Sequence, residues 1–400
     1  MKCDNVDRSQ WRIPVWLVAV TCALVMLLGI GIGIGISKSN PAKTGEPQQM
    51  QDPTANILRS DEMVIFFGSS VFDYDVFGSD YQRTQIRSVT VVDTLADMPE
   101  DAWDVSEAGN GTVMAWVKPK GEQYDLYLGA EGGISAGRSC KELFSGYENA
   151  TSINLGDCFD TSNVQDMSDM FSNCSSLKKL KLGDRFDTSN AQNMDSMFSY
   201  CFSLKALTLG DRFDTSNVQD MSRMFFYCSS LKALTLGDRF DTSNVEDMGA
   251  MFFGCSSLKA LTLGDRFDTS NVTDMESMFS DCSSLKALTL GDCFDTSKVQ
   301  NMRGMFSDCL SLKALTLGDH FDTSKVEDMG FMFDECYSLR SLDLGDHFDT
   351  SNVQDMSFMF YACSSLEALT LGEHFVIPHA AAADIFDMCP AGREWQHLLQ

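Results

Sequence analysis

Residues 228–254 read CSSLKALTLGDRFDTSNVEDMGAMFFG, and variants of this stretch recur along most of the chain. Cys174, Cys201, Cys228, Cys255, Cys282, Cys309, Cys336 and Cys363 begin successive copies, each 27 residues after the last. Nine glycines, from Gly156 through Gly237 to Gly372, keep the same interval. A fixed period of this size marks a repeat architecture, in which each unit has an apolar face that only the next unit covers.

Within one copy, Leu234 and Leu236 alternate with polar residues, the pattern of a strand with one buried face. Gly237 and Asp238 then turn the chain. Asp241 to Asn244 are short polar side chains suited to hydrogen-bonding nearby backbone. The return path carries Val245, Met248, Met251, Phe252 and Cys255, in steps of three and four. That spacing predicts a helical turn or 3-10 segment with one buried side. The expected fold is a mainly-β solenoid with a parallel sheet, one strand per 27-residue coil and short helical or 3-10 turns.

The run L-x-x-L-x-L-x-x-x-F is a leucine-rich-repeat signature. The longer FDTSNV-x-DM-x-x-MF-x-x-CSSL resembles the repeat of BspA-family leucine-rich-repeat surface proteins and of Mycoplasma-type surface lipoproteins. The resemblance covers residues 124–377 and recurs in eight clear copies. It implies a leucine-rich-repeat solenoid on a bacterial cell surface, in a family with members linked to adhesion.

Composition narrows the partners. A net charge of −27 excludes nucleic acid, whose phosphates need basic patches. Of 23 methionines, eight form the row Met167 to Met356 and eight the row Met170 to Met359. Both rows fall at inward positions, so they read as core filling rather than as metal ligands. Fourteen cysteines would suit disulfides in an oxidising compartment. Stacked coils about 4.8 Å apart would bring the cysteine row within disulfide reach. Identical side chains in register point the same way, however, so a ladder of buried thiols is expected.

In chain order, residues 1–13 read as a cytoplasmic tail carrying Lys2, Arg8 and Arg12. Residues 14–36, PVWLVAVTCALVMLLGIGIGIGI, contain no charge and are long enough for a transmembrane helix. The preceding basic residues favour the N-terminus inside. Cys22 follows VAVT, a poor lipoprotein signal. The expected location is the cell membrane, single-pass, with the repeats extracytoplasmic. Residues 37–60 read as a linker. Residues 61–123 read as a β-rich N-terminal capping region, and resemble a segment that often precedes the repeats in Gram-positive gut-type surface proteins. Its strands are MVIFFG (63–68), RSVTVVDTL (87–95), and VMAWV (113–117) joined to YDLYLG (124–129) as a hairpin. Residues 124–377 form the array and 378–400 its C-terminal cap. Residues 124–150 read as a degenerate first coil, with Leu126, Leu128 and Gly129 matching Ile153, Leu155 and Gly156.

Three sets of residues could carry function. Asp238, Asp241 and Asp247 recur as rows. Paired carboxylates can do acid–base work or bind calcium, but a reaction centre is singular, and solvated turn residues are the plainer reading. Thr208, Thr235, Thr262, Thr289, Thr316 and Thr370 lie between buried strand leucines and should face outward. They form a candidate binding surface, against the simpler view that Thr suits an exposed strand. Cys293, His320, His347 and His374 share the variable position of GD-x-F and would stack into a column of zinc-type donors. Arg185, Arg212, Arg239 and Arg266 hold that position elsewhere, which favours a simple exposed basic site. No Ser–His–Asp or Cys–His arrangement, phosphate loop or CxxC pair stands out. The sequence therefore points to no enzyme and no cofactor. It points to binding a host or bacterial surface macromolecule, protein or glycan, or else to a spacer or coat protein.

Overall fold

Backbone hydrogen bonds between copies, alternating with tight turns within them, organise the return path. In the computed structural model, which describes residues 56–59, 75–377 and 384–392, the N–H groups of Met221, Arg223, Phe225 and Tyr227 donate to carbonyls of the next coil at 2.7 to 3.1 Å. The intervening N–H groups of Met224, Phe226 and Cys228 close tight turns onto carbonyls three residues back. Ser222 N–H donates to Asp220 Oδ1. Eight consecutive donors are thus satisfied, half of them across coils. This corrects the helical or 3-10 expectation. Positive φ angles at Arg223 (56°) and Tyr227 (54°) bend the chain, and they recur at Ser196 and Tyr200, and at Ser277 and Asp281. A helix has none of these. The three-and-four spacing of Met and Phe comes from a turned strand paired on both sides.

The strand side is less regular. Its parallel strands are β10 (Ala206–Thr208), β11 (Ala233–Thr235), β12 (Ala287–Thr289), β13 (Ala314–Thr316), β14 (Ser341–Asp343) and β15 (Ala368–Thr370). They pair in register as β10–β11, β12–β13 and β14–β15. Residues 260–262 form no strand, so the array is a mainly-β repeat with parallel strands in pairs rather than one unbroken sheet. Two phenylalanine columns run along the array. On the return side, rings from Phe144 to Phe386 stack at 5.3 to 5.7 Å. In the GD-x-F turns, Phe186 to Phe375 stack at 6.2 to 6.4 Å.

The N-terminal part of the described chain, leading into the first repeats, holds β1 (Ile57–Leu58), β2 (Ile86–Val92), β3 (Trp103–Asp104), β4 (Met114–Lys120), β5 (Gln123–Gly129), β6 (Ile134–Ala136), β7 (Ser152–Asn154), β8 (Phe159–Asp160) and β9 (Lys179–Lys181). The hairpin β4–β5 forms as expected. The first coil does not form from one continuous segment. The sheet order is β3-β4-β5-β2-β7-β9, so β2 stands between β5 and β7, with Val89 opposite both Leu126 and Ile153. The first coil takes its strand from β2 and its return path from residues 140–146, whose N–H groups bond to the next coil. Arg83, 2% exposed, donates to the carbonyls of Glu142 and Ser145 at 2.9 and 2.6 Å. Ser145 O is the site where later coils receive an N–H from the coil before, as Ser172 O does from Gly146. The linker expectation for 37–60 also changes at its end, because β1 pairs with β6. At the other end, Phe360 and Ala362 donate to Ile385 and Asp387, which supply a last rung. The expected span at 14–36 and strand at 63–68 lie outside the described residues.

The core is a set of columns. Every methionine of the two rows is fully buried, as core filling requires. So is a column missed in the sequence: Thr161, Thr188, Thr215, Thr242, Thr269, Thr296, Thr323 and Thr350, all 0% exposed. Thr242 Oγ1 donates to Asp268 O of the next coil at 2.7 Å, and the others repeat the bond. Thr242→Val keeps the shape and removes the donor, leaving a carbonyl without its partner. We expect a loss of about 1–3 kcal/mol, read as a lower urea midpoint. An unchanged midpoint would mean the hydroxyl ladder contributes nothing.

Candidate functional site

The six outward threonines lie where expected. Thr208, Thr235, Thr262, Thr289, Thr316 and Thr370 are all exposed, and Thr208 faces Thr235 as Thr289 faces Thr316 in register. Strand alternation places them, because the leucines on either side are turned into the core. Lys205, Lys232, Lys259, Lys286 and Lys313 are exposed three residues before them. Lys181 and Asp343 interrupt the row, and Asp343 sits opposite Thr370.

Two of the three aspartate rows turn out to be turn acceptors. Asp241 Oδ1 accepts from Ser243 N, and Asp247 Oδ1 from Gly249 N. In the second row Asn193 and Asn301 replace Asp and make the same bond. An amide that serves equally shows that the position needs an acceptor, not a charge. That removes the ground for acid–base chemistry at this row. Arg212, Arg239 and Arg266 each reach an aspartate of the preceding coil at 3.3 to 3.4 Å. At roughly 60% exposure such pairs contribute little each.

The zinc column does not form. Among the described residues no group of three or more His, Cys, Asp or Glu side chains is placed to hold a metal ion. Cys293 donates instead to Asp265 O at 3.3 Å, and His374 lies near Asp349, whose carboxyl it helps hold below the usual range after hydrogen bonds from Ser351.

The cysteine row is a ladder of buried thiols. Each Sγ donates to the phenylalanine carbonyl of the previous coil, as Cys228 does to Phe198 at 3.2 Å and Cys255 to Phe225 at 3.3 Å. All twelve cysteines of the described residues are free. Burial pushes the Cys228 thiol up to about 12, so it stays protonated and keeps donating. Thiolate is the reactive form. In the folded chain at pH 7.5, iodoacetamide should therefore label exposed Cys293 first, half-buried Cys158 more slowly, and the buried row only after denaturation. Peptide mass mapping reads the order, and labelling of Cys228 at the Cys293 rate would contradict the ladder.

The return side carries a feature the sequence reading did not single out. Burial, then neighbouring carboxylates, lifts several carboxyls. Asp169 rises to about 6 beside Asp195 and Glu142, Asp281 to about 6 beside Asp308, and Asp334 to about 7 beside Asp308 and Glu335. Asp247 and Asp308 rise as well, burial again the leading cause. A folded-state pKa above the unfolded value of about 3.9 means the fold binds more protons in that window. Stability must then fall as pH rises through the folded values. The melting temperature should be higher at pH 5.5 than at pH 8. Equal values would show the acidic columns to be fully solvated.

One family matches this architecture in sequence. It is described as "Mycoplasma protein of unknown function, DUF285", and it matches residues 138–236, 202–288, 233–318 and 289–389. No curated protein matches the chain. Among solved structures, the crystal structure of the T. pallidum leucine-rich-repeat protein TpLRR is similar at 16% identity. That match covers 56% of this chain and 87% of that one, with a TM-score of 0.27. The family segments run together from residue 138 to 389, well over half of the sequence. The chain belongs to the DUF285 family.

Proposed function

We propose that the array is a cell-surface binding module, of the kind found in BspA-like leucine-rich-repeat proteins. In this reading the apolar run 14–36 anchors it as a single-pass membrane protein, and the repeats form an extracytoplasmic solenoid. Its ligand is a macromolecule of a host or bacterial surface, protein or glycan, bound through the threonine face. The observation that carries this is the exposed, in-register threonine row with lysines beside it. Such a face offers hydroxyl donors and acceptors at fixed intervals, without ordering cost. No reaction and no cofactor belong to this reading.

A second reading, a spacer or coat protein, is favoured by sameness: LKALTLGD is unaltered in the five coils beginning at Leu204, Leu231, Leu258, Leu285 and Leu312. Recognition surfaces differ from place to place. The two are separated by a screen of the full chain against matrix proteins, mucins and bacterial surfaces, beside a Thr235→Glu, Thr289→Glu, Thr316→Glu variant. Saturable binding weakened at least tenfold in the variant supports the threonine face. Binding that survives in the variant moves the site elsewhere, and no binding supports the spacer.

A further inference from the structure

The coils that are alike on the strand face differ on the return face. At the last position of each coil, Tyr200 and Tyr227 give way to Gly254, then to Asp281, Asp308 and Glu335. At the position before it, Phe226 and Phe253 are followed by Ser280 and Ser307, and then by Asp334. An aromatic patch therefore adjoins an acidic one on a single side of the array.

The aromatic patch is well packed. Tyr200 stacks on Tyr227 at 5.9 Å, and Phe226 on Phe253 at 5.0 Å. Tyr227 meets Phe226 and Phe253 edge-on at 4.7 and 5.2 Å. Gly254 is part of it, since a Cβ there would lie 2.7 Å from the Tyr227 ring. Apart from Phe226 these rings are half-buried. Tyr200 and Tyr227 are stacked, as are Phe226 and Phe253, and the two pairs meet edge-on.

The acidic patch lacks cations. Among the described residues, no Lys or Arg forms an ion pair with Asp281, Asp308, Asp334 or Glu335; the array's ion pairs go to other aspartates. Asp334 Oδ1 is buried without a hydrogen-bond partner. Tyr337, 39% exposed, borders the patch. Crowded carboxylates beside aromatic rings complement a cationic, partly apolar partner, because opposite charges meet where water is already limited.

We propose that the return face is a second docking surface, separate from the threonine face, for a protein segment that places Lys or Arg beside apolar side chains. The cations meet Asp281, Asp308 and Glu335, and the apolar side chains meet the rings of Tyr200, Tyr227 and Phe253.

The test uses the full chain and, as probe, an acetylated ten-residue peptide of alternating Lys and Phe, titrated by calorimetry at 150 mM salt. The return-face variant is Asp281→Asn with Asp308→Asn and Glu335→Gln. The control removes three exposed charges elsewhere: Asp238→Asn, Asp265→Asn and Asp292→Asn. We expect saturable binding that weakens at least tenfold in the return-face variant and less than twofold in the control. Tyr200→Ala, folded by circular dichroism, should weaken it several-fold, and the triple Thr→Glu variant should leave it intact. Equal losses in variant and control would reduce the effect to net charge and overturn the proposal. No saturable binding to the unaltered chain would also overturn it, without touching the threonine-face reading.

Discussion

The return ladder is the constraint on which the rest of the array depends. Alternate N–H groups reach the next coil, and the others close turns within their own. That arrangement needs a left-handed residue at every fourth position. Glycine would adopt it freely, yet the chain places Ser, Arg, Tyr, Asp and Phe there. Each such residue costs of order 1 kcal/mol or more. The cost is borne because the ladder leaves no donor of the segment unsatisfied. Once the backbone is fixed this way, every inward side chain meets an identical one a coil away, which is why the Met, Phe, Cys and Leu columns hardly vary.

Each column then does a separate task. Phenylalanine rings stack along both sides, with centroids 5.6 Å apart between Phe171 and Phe198 and 6.3 Å apart between Phe186 and Phe213. The buried threonines tie the wider side, through hydroxyls that reach the next coil. Thiols serve the narrow side: Phe198 O accepts both Cys201 N–H and Cys228 Sγ. The threonine and cysteine columns thus add side-chain hydrogen bonds to backbone carbonyls of neighbouring coils.

Much of this was legible in the sequence. The period, the inward rows, the outward threonines, the β4–β5 hairpin and the reduced thiols all follow from spacing and alternation. What was not legible depended on backbone sign or on distant pairing. Steps of three and four between Val245, Met248, Met251 and Cys255 fit a helix as well as a turned strand, because side-chain spacing does not report φ. Thr242 looked like its neighbours Ser243 and Asn244, and only the fold sends the threonine inward. The insertion of β2 between β5 and β7 is a pairing across some 60 residues, from Val89 to Ile153, which no local pattern encodes. A shared position in the repeat, as at Cys293, His320, His347 and His374, does not by itself bring donor atoms together: no group of three or more His, Cys, Asp or Glu is placed to hold a metal among the described residues.

The repeat also indicates where specificity can reside. Interior columns cannot vary without disturbing two neighbours each, and the LKALTLGD face hardly varies. The return-face positions are different. They range from buried to half-buried, and they vary over Tyr, Gly, Asp, Glu, Phe and Ser from coil to coil. Asp281, Asp308 and Asp334 even hold carboxyls raised by burial and by one another. Nothing in the stacking requires these charges, since Ser, Tyr and Gly occupy the same positions in coils that pack equally well.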